Sequence, residues 1–373
     1  MKSENLKIGI FGGTFDPPHL EHEKLVKSAI EELGLDMLFI VPVFSPCYKG
    51  VASAGFSDRL ALAKIAFTDI AEGVVSISPI EKSNGFRYAF EVCEYFREKY
   101  KSPTIYYIVG SDSLNTFSHW RIPERVLSAV TLAVAMREGD EIRDEVREKV
   151  PHRVLKFVGH EVSSAVTRGK IELGLPTEDL SPAVRSYIDK HKLYHVFDGT
   201  IEKLRASVSA ELFEHCVSTA LYALTFINTL SIPYNEVFVA CLLHDCAKEL
   251  AKTETEKATR YADVPQPVRH QFLGADVAST DYGITSDKIL DAIRFHTTGK
   301  GEMTTLGRLV YLADKLEPLR DYEGVEEMRA IARRDFEEGF RELLVRNTEH
   351  LRNSGKPLDK YGAEAYNYYI KNR

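Results

Sequence analysis

The chain has 373 residues, 44% of them hydrophobic and 28% charged, with a formal net charge of −7. That length favours two domains, each long enough to bury a core. The acidic balance excludes a nonspecific duplex nucleic-acid binder, which needs a basic surface, but leaves room for small anionic ligands held by local sites. Five scattered cysteines (Cys47, Cys93, Cys216, Cys241, Cys246), with no Cys-x-x-Cys, suit a reduced, cytoplasmic protein. No apolar run nears the length of a membrane span, and the first residues run into a strand without a signal-peptide core. Neither a membrane nor a nucleic-acid partner is expected; a homo-oligomer stays open.

The first predicted strand ends in Gly12-Gly13-Thr14-Phe15, followed by Asp16-Pro17-Pro18 and by His19 and His22 at the head of a helical pattern. Glycines let backbone N–H groups approach a phosphate, and a helix N-terminus attracts anions. Histidines at i and i+3 share a helix face. Residues 24–33 continue as a helix stopped by Gly34, and 37–42 read as a buried strand ending at proline. This βαβ start implies a parallel sheet with ligands at the carboxyl ends of its strands. Residues 43–56 form a loop with Pro46 and Lys49, and Ser57-Asp58 open a helix. A strand over 74–78, a helix over 88–100, and strands over 104–109 and 130–136 follow. Gly110-Ser111-Asp112 sits at a strand's carboxyl end, and Arg137 at the next. Trp120 fits either base stacking or the core. Ser163 and Ser164 read as a helix cap, with Arg168 beside them for phosphates.

Together these residues resemble the nicotinate mononucleotide adenylyltransferase family, over about Met1 to Val196. The resemblance implies an α/β doubly wound parallel sheet and transfer of an adenylyl group from ATP, with Mg²⁺ accompanying ATP. By that resemblance His19, His22 and Lys49 stabilise the transferring phosphate. Ser163, Ser164 and Arg168 hold the outer phosphates. Gly12, Gly13, Thr14, Phe15, Gly110, Asp112 and Arg137 meet the nucleotide, and Trp120 stacks on the pyridine ring. The chain departs from the family pattern at Glu21 (for glycine), Tyr48 (for the loop histidine), Arg87 and Ala89, Glu138 and Ala165. Glu21 is expected to raise the pKa values of the flanking histidines and weaken ATP binding.

A last helix is read over 180–194, and Phe197-Asp198-Gly199-Thr200 breaks the pattern. The expected organisation is a first domain over 1–196, a linker over 197–206 and a second domain over 207–373. Beyond the linker, helical patterns follow one another, including 237–250, 287–295 and 305–317, so the second domain is an all-α bundle. Its apolar stretches carry His215, His244-Asp245, His270, His296 and Asp314. Buried ionisable groups are costly unless paired or bound to metal. Imidazole plus carboxylate suits iron, manganese, cobalt or zinc, and six ligands over-supply one ion, so a two-metal centre is expected.

The series H…HD…H…H…D resembles the HD-domain phosphohydrolases. The strings Leu243–Glu249, Phe295–Gly299 and Tyr311–Pro318 with Arg320 narrow this to the symmetrical diadenosine tetraphosphatases. The resemblance implies iron in the pair, hydrolysis of diadenosine tetraphosphate to two ADP, and Lys248 and Arg320 on the polyphosphate. The expectation is therefore a bifunctional enzyme acting on ATP, nicotinate mononucleotide and diadenosine tetraphosphate. Two alternatives stand beside it: an active hydrolase carrying a degraded nucleotide sensor, and a non-enzymatic metal- and nucleotide-binding scaffold.

Overall fold

The structure, a computed structural model, describes residues 6–45, 52–160, 162–253, 255–356 and 358–371. Tyr48 and Lys49 lie outside the described residues. The chain divides into two compact units, Met1–Ile171 with Pro176–Tyr194, and Glu172–Leu175 with His195–Arg373.

The first unit is built on a six-stranded sheet of β1 (Lys7–Gly13), β2 (Met37–Pro42), β3 (Val75–Ile77), β4 (Thr104–Gly110), β5 (Thr131–Arg137) and β6 (His152–Gly159). The spatial order is β3-β2-β1-β4-β5-β6, and each pairing is parallel. Side-chain alternation sends Ile8 and Ile10 to one face and Phe11 to the other. Helices Leu20–Leu33, Phe56–Phe67 and Pro182–His191 cover the Phe11 face; Ala89–Lys99 and Pro123–Ala129 cover the opposite one. This is the doubly wound sheet expected, with both faces buried. Gly34 ends the first helix at φ +63°, the left-handed conformation that glycine takes at no steric cost.

Strand β6 was not foreseen. It is an edge strand, and of its side chains only Leu155 is buried, so its hydrophobic signal is thin.

The second unit contains no strand among its described residues. Its principal helices are Asp198–Ser207, Ala210–Leu224, Tyr234–Leu243, Gln266–Tyr282, Asp287–Arg294, Thr305–Leu316, Val325–Arg334 and Phe336–Asn353. Phe238, Leu243, Leu309, Leu312, Leu316 and Phe340 form its solvent-free core. Two expectations need correction. The segment 197–206, read as a linker, folds as the helix Asp198–Ser207, anchored by buried Ile201 and Leu204. The helix read over 237–250 ends at Leu243. From there i→i+3 bonds, Cys246 N to Leu243 O and Lys248 N to Asp245 O, tighten the chain into turns. Adjacent residues on an α-helix point about 100° apart. His244 Nε2 and Asp245 Oδ2 nevertheless approach to 3.5 Å. No helix among the described residues is long and apolar enough to cross a membrane.

One buried cation ties the first loop to the sheet. Arg59 is 1% exposed, and its guanidinium donates to Thr14 O (2.8 Å), Val43 O (2.7 Å), Phe44 O (3.2 Å) and Ala54 O (3.2 Å). Arg59→Met strands those carbonyls. It should destabilise the first unit by about 3 to 5 kcal/mol, as breaking a buried ionic network does, read from the urea unfolding midpoint. A loss below about 1 kcal/mol would show that the carbonyls find water instead.

Candidate active sites

The order of the first sheet reverses between β1 and β4, and in doubly wound sheets ligands bind at the carboxyl ends of the strands there. Gly12-Gly13 ends β1 and Gly110 ends β4. A Cβ on Gly12 would stand 2.7 Å from the Tyr107 hydroxyl, so a larger residue there would displace that buried side chain. After β1 the chain turns at Asp16 and enters the helix Leu20–Leu33 with His19 as its N-cap.

His19 and His22 stack, with ring centroids 3.6 Å apart. The His19 backbone N–H donates to His22 Nδ1 at 3.1 Å, which in a neutral ring leaves the proton, and hence a donor, on Nε2. Burial lowers the His19 pKa to about 4; Asp179 and Glu21 oppose the shift and Arg137 adds to it. Glu21 pulls the His19 pKa upward, the direction expected of it. Its carboxylate turns to Lys24 Nζ (2.6 Å) and the His160 backbone N–H (3.1 Å), and its pull on His19 is outweighed by burial.

Asp16 organises the loop. It is 3% exposed and accepts from Ser53 N (2.8 Å), Ala54 N (3.0 Å) and the Tyr194 hydroxyl (2.9 Å). Arg168 approaches its carboxylate at 3.5 Å and donates to its carbonyl. Ser164 Oγ donates to Pro17 O at 2.8 Å, and Ser163 Oγ accepts from Ala165 N at 3.3 Å, as a cap would. His19, His22, Ser163, Ser164 and Arg168 therefore surround one loop. At the neighbouring strand ends Arg137 lies 3.7 Å from Asp112, and Gly110 leaves room for that carboxylate. The Phe15 side chain does not face a ligand: it is 2% exposed, packed on Phe11 and Phe67, so only its backbone is available. Trp120 is half-buried against Phe117 and Tyr107, at the edge of the core.

In the second unit the six expected ligands do meet. His215, His244, Asp245 and Asp314 form one group whose ligand atoms lie within 4.8 Å of one another; Asp245, His270 and His296 form a second. Asp245 is common to both. Its Oδ2 lies 3.7 Å from His215 Nε2 and 3.5 Å from His244 Nε2, while Oδ1 lies 3.3 Å from both His270 and His296 Nε2. His244 and His296 turn Nδ1 to the carbonyls of Cys241 (2.6 Å) and Ile293 (2.7 Å), which fixes the tautomer and aims the Nε2 lone pair inward. His215 Nδ1 meets Glu317 Oε1 at 3.0 Å, the carboxylate–histidine arrangement of metal sites.

Burial drives His270 down to about 3, with His296 adding to the lowering, so it stays a neutral donor. For Asp245 burial acts upward, but His244, His296 and Lys248 outweigh it and hold the carboxyl well below its usual range. Asp245 Oδ1 is nonetheless a buried atom without a hydrogen-bond partner among the described residues. A buried carboxylate oxygen 3.3 Å from two imidazole nitrogens fits a divalent cation held between them. Lys248 Nζ lies 2.6 Å from Asp245 Oδ2, and Arg320 Nη2 lies 2.7 Å from Asp314 Oδ1. Sequence reasoning passed over Asp16, Arg59 and Glu317. Asp16 stood inside the quoted opening loop, and Glu317 lies three residues beyond a ligand, where its role depends on the helix end at Leu316.

The His19 shift has a consequence for stability. The unfolded chain takes up this proton near pH 6.5, the folded one only near 4. The contribution of His19 is therefore full above pH 6.5 and lost as pH falls towards 4. His19→Gln should flatten the pH dependence of unfolding free energy over that window; an unchanged slope would place the titration elsewhere.

A cytidylyltransferase-like family model matches residues 10–185, and an HD-domain model matches residues 212–319. A probable nicotinate-nucleotide adenylyltransferase of Neisseria gonorrhoeae is 33% identical over 198 residues, 50% of this chain and 98% of its own length. A Mycoplasma pneumoniae protein described as a probable nicotinate-nucleotide adenylyltransferase/Ap4A hydrolase is 27% identical over 318 residues, 84% of this chain and 89% of its own length. A Mycoplasma genitalium protein of the same description is 30% identical over 325 residues, 85% of this chain and 89% of its own length. With identity at that level along most of both lengths, and the two models falling on the two units in order, the chain belongs to the family of two-domain nicotinate-nucleotide adenylyltransferase/Ap4A hydrolase proteins.

Proposed function

We propose that this chain is a bifunctional enzyme. The first unit transfers the adenylyl group of ATP to nicotinate mononucleotide, giving nicotinate adenine dinucleotide and pyrophosphate. The second splits diadenosine tetraphosphate symmetrically into two ADP. The observation that carries the reading is the likeness along both units to one relative described by both activities, joined to a ligand set with no member missing. That favours two enzymes over a degraded sensor or a scaffold.

In the first unit a phosphate oxygen of the mononucleotide attacks the α-phosphorus of ATP. The bond to the β-phosphate oxygen breaks, and pyrophosphate leaves with the electron pair. No covalent enzyme intermediate is needed, so the protein's task is positioning and charge stabilisation. His22 offers its Nε2–H, and the helix it begins adds its positive end. His19, neutral and buried, packs His22 in place. Arg168, Ser163 and Ser164 take the outer phosphates, with Mg²⁺ accompanying ATP. Lys49 is assigned here from its motif.

In the second unit His215, His244, Asp245 and Asp314 would hold one divalent ion, and Asp245, His270 and His296 another. We assign iron, with manganese, cobalt and zinc as the chemically similar alternatives. Such a pair, when bound, lowers the pKa of water and neutralises phosphate oxygens. Lys248 and Arg320, both cationic beside the ligand carboxylates, orient the polyphosphate so that its central P–O–P bond meets the water. Glu317 keeps His215 turned inward.

Two experiments separate the activities. His22→Ala should lower pyrophosphate release from ATP and nicotinate mononucleotide by about 100- to 1000-fold, as loss of one charge-stabilising donor does, without touching diadenosine tetraphosphate hydrolysis. His244→Ala should do the reverse. If wild-type protein releases no pyrophosphate, the sensor reading replaces the first activity. Metal analysis is the second test. Wild type should carry two equivalents, His270→Ala one, and Asp245→Asn neither at full occupancy. Equal losses in the two variants would contradict a shared carboxylate.

A further inference from the structure

The turn after Asp314 carries an unusual pairing of rigidity and apolar exposure. The helix Thr305–Leu316 ends there, and Arg329, only 6% exposed, reaches in beneath it. Its guanidinium donates to Leu316 O (2.8 Å), Glu317 O (2.7 Å) and Arg320 O (2.8 Å). The Leu319 N–H donates to Glu317 Oε2 at 2.7 Å, and Arg320 Nε to Asp314 O at 2.8 Å. On this clamped turn Leu319 is 59% exposed and Tyr322 42% exposed. Between them Arg320 places Nη2 at 2.7 Å from Asp314 Oδ1 and 3.2 Å from His215 Nε2. The Tyr322 hydroxyl donates to Lys315 O at 3.1 Å, so its ring is held at the side of the residue following a ligand.

Single exposed apolar residues need no explanation. Two of them on a turn fixed by a buried arginine, flanking a cation that touches two of the ligand residues, form a preorganised surface at the edge of the site. We propose that Leu319 and Tyr322 are a nucleobase platform: they stack on the purine of a nucleotide whose phosphates engage Arg320 and the metal ligands. This rests on the hydrolase reading above and extends it to the base. An aromatic face accepts any purine, because every base has a π-face, and the Tyr322 hydroxyl is already engaged with Lys315. The platform therefore contributes affinity for nucleosides over bare polyphosphate rather than choice among purines. Arg320 is the hinge of the arrangement, with phosphate on one side and base on the other.

The test compares full-length, manganese-loaded wild type with Tyr322→Ala, Tyr322→Phe and Leu319→Ser. Calorimetric binding of ADP is set against that of inorganic pyrophosphate, which has the phosphates but no base. Any ADP bound by the first unit is common to all four proteins and cancels in the differences. Tyr322→Ala and Leu319→Ser should weaken the ADP component, Tyr322→Ala by roughly 5- to 100-fold, the range for loss of one base–aromatic stack. Pyrophosphate binding and manganese content should stay unchanged. Tyr322→Phe keeps the ring but loses the hydroxyl contact that holds it, and should bind ADP more tightly than Tyr322→Ala and no more tightly than wild type. In turnover, Tyr322→Ala should raise KM for diadenosine tetraphosphate with kcat nearly constant, and diguanosine tetraphosphate should show the same rise. The proposal is overturned if Tyr322→Ala leaves ADP binding intact, or weakens ADP and pyrophosphate equally. If wild type fails to hydrolyse diadenosine tetraphosphate, the substrate reading falls, while the ADP-against-pyrophosphate difference still decides the platform.

Discussion

The second unit depends on one buried carboxylate. Asp245 is 1% exposed, yet four imidazoles and an ammonium face it from separate parts of the fold. A carboxylate in that position is stable only if cations or strong donors surround it. The bundle gathers around it the ligands that a bound cation would need: His215 comes from one helix, His244 from the end of a second, His270 from a third, His296 from the turn after a fourth and Asp314 from a fifth. At the end of the second of these helices His244 Nε2 and Asp245 Oδ2 approach to 3.5 Å.

The first unit works by a different principle. Around its opening loop, buried side chains fix the backbone and position His19, His22, Ser163, Ser164 and Arg168. Asp16 and Arg59 bury opposite charges around that loop and satisfy backbone groups on both sides of it. Such a network is costly to desolvate and costly to break, so it specifies one loop conformation. His19 belongs to the same design, since a ring kept neutral by burial packs without demanding a counter-ion. The two units thus present contrasting sites: one a loop held by buried charges, the other a ligand cluster suited to metal.

Much of this was legible in the residues themselves. The strand-glycine-helix order of the opening loop and the alternation that followed led directly to the parallel sheet, and the spaced histidines and aspartates led to the ligand cluster. What escaped were features set by tertiary context. Strand β6 lies at an edge and buries too little to be seen as a pattern. The segment 197–206 looked like a linker because Asp198-Gly199 reads as a break, yet Ile201 and Leu204 find a core to anchor a helix. Glu21 acts on His19 in the expected direction, but sequence shows adjacency and not burial, which outweighs it; the carboxylate itself points at Lys24 and His160. Arg59, Arg329 and Glu317 look like ordinary surface charges until burial reveals their partners.

The sharing of Asp245 between two ligand groups is the claim on which the account of the hydrolase turns. An anomalous-diffraction map of manganese-soaked crystals tests it directly. The account predicts two peaks on opposite sides of the Asp245 carboxylate, one against His215, His244 and Asp314 and the other against His270 and His296. A single peak, or peaks that leave Asp245 out of contact, would contradict it.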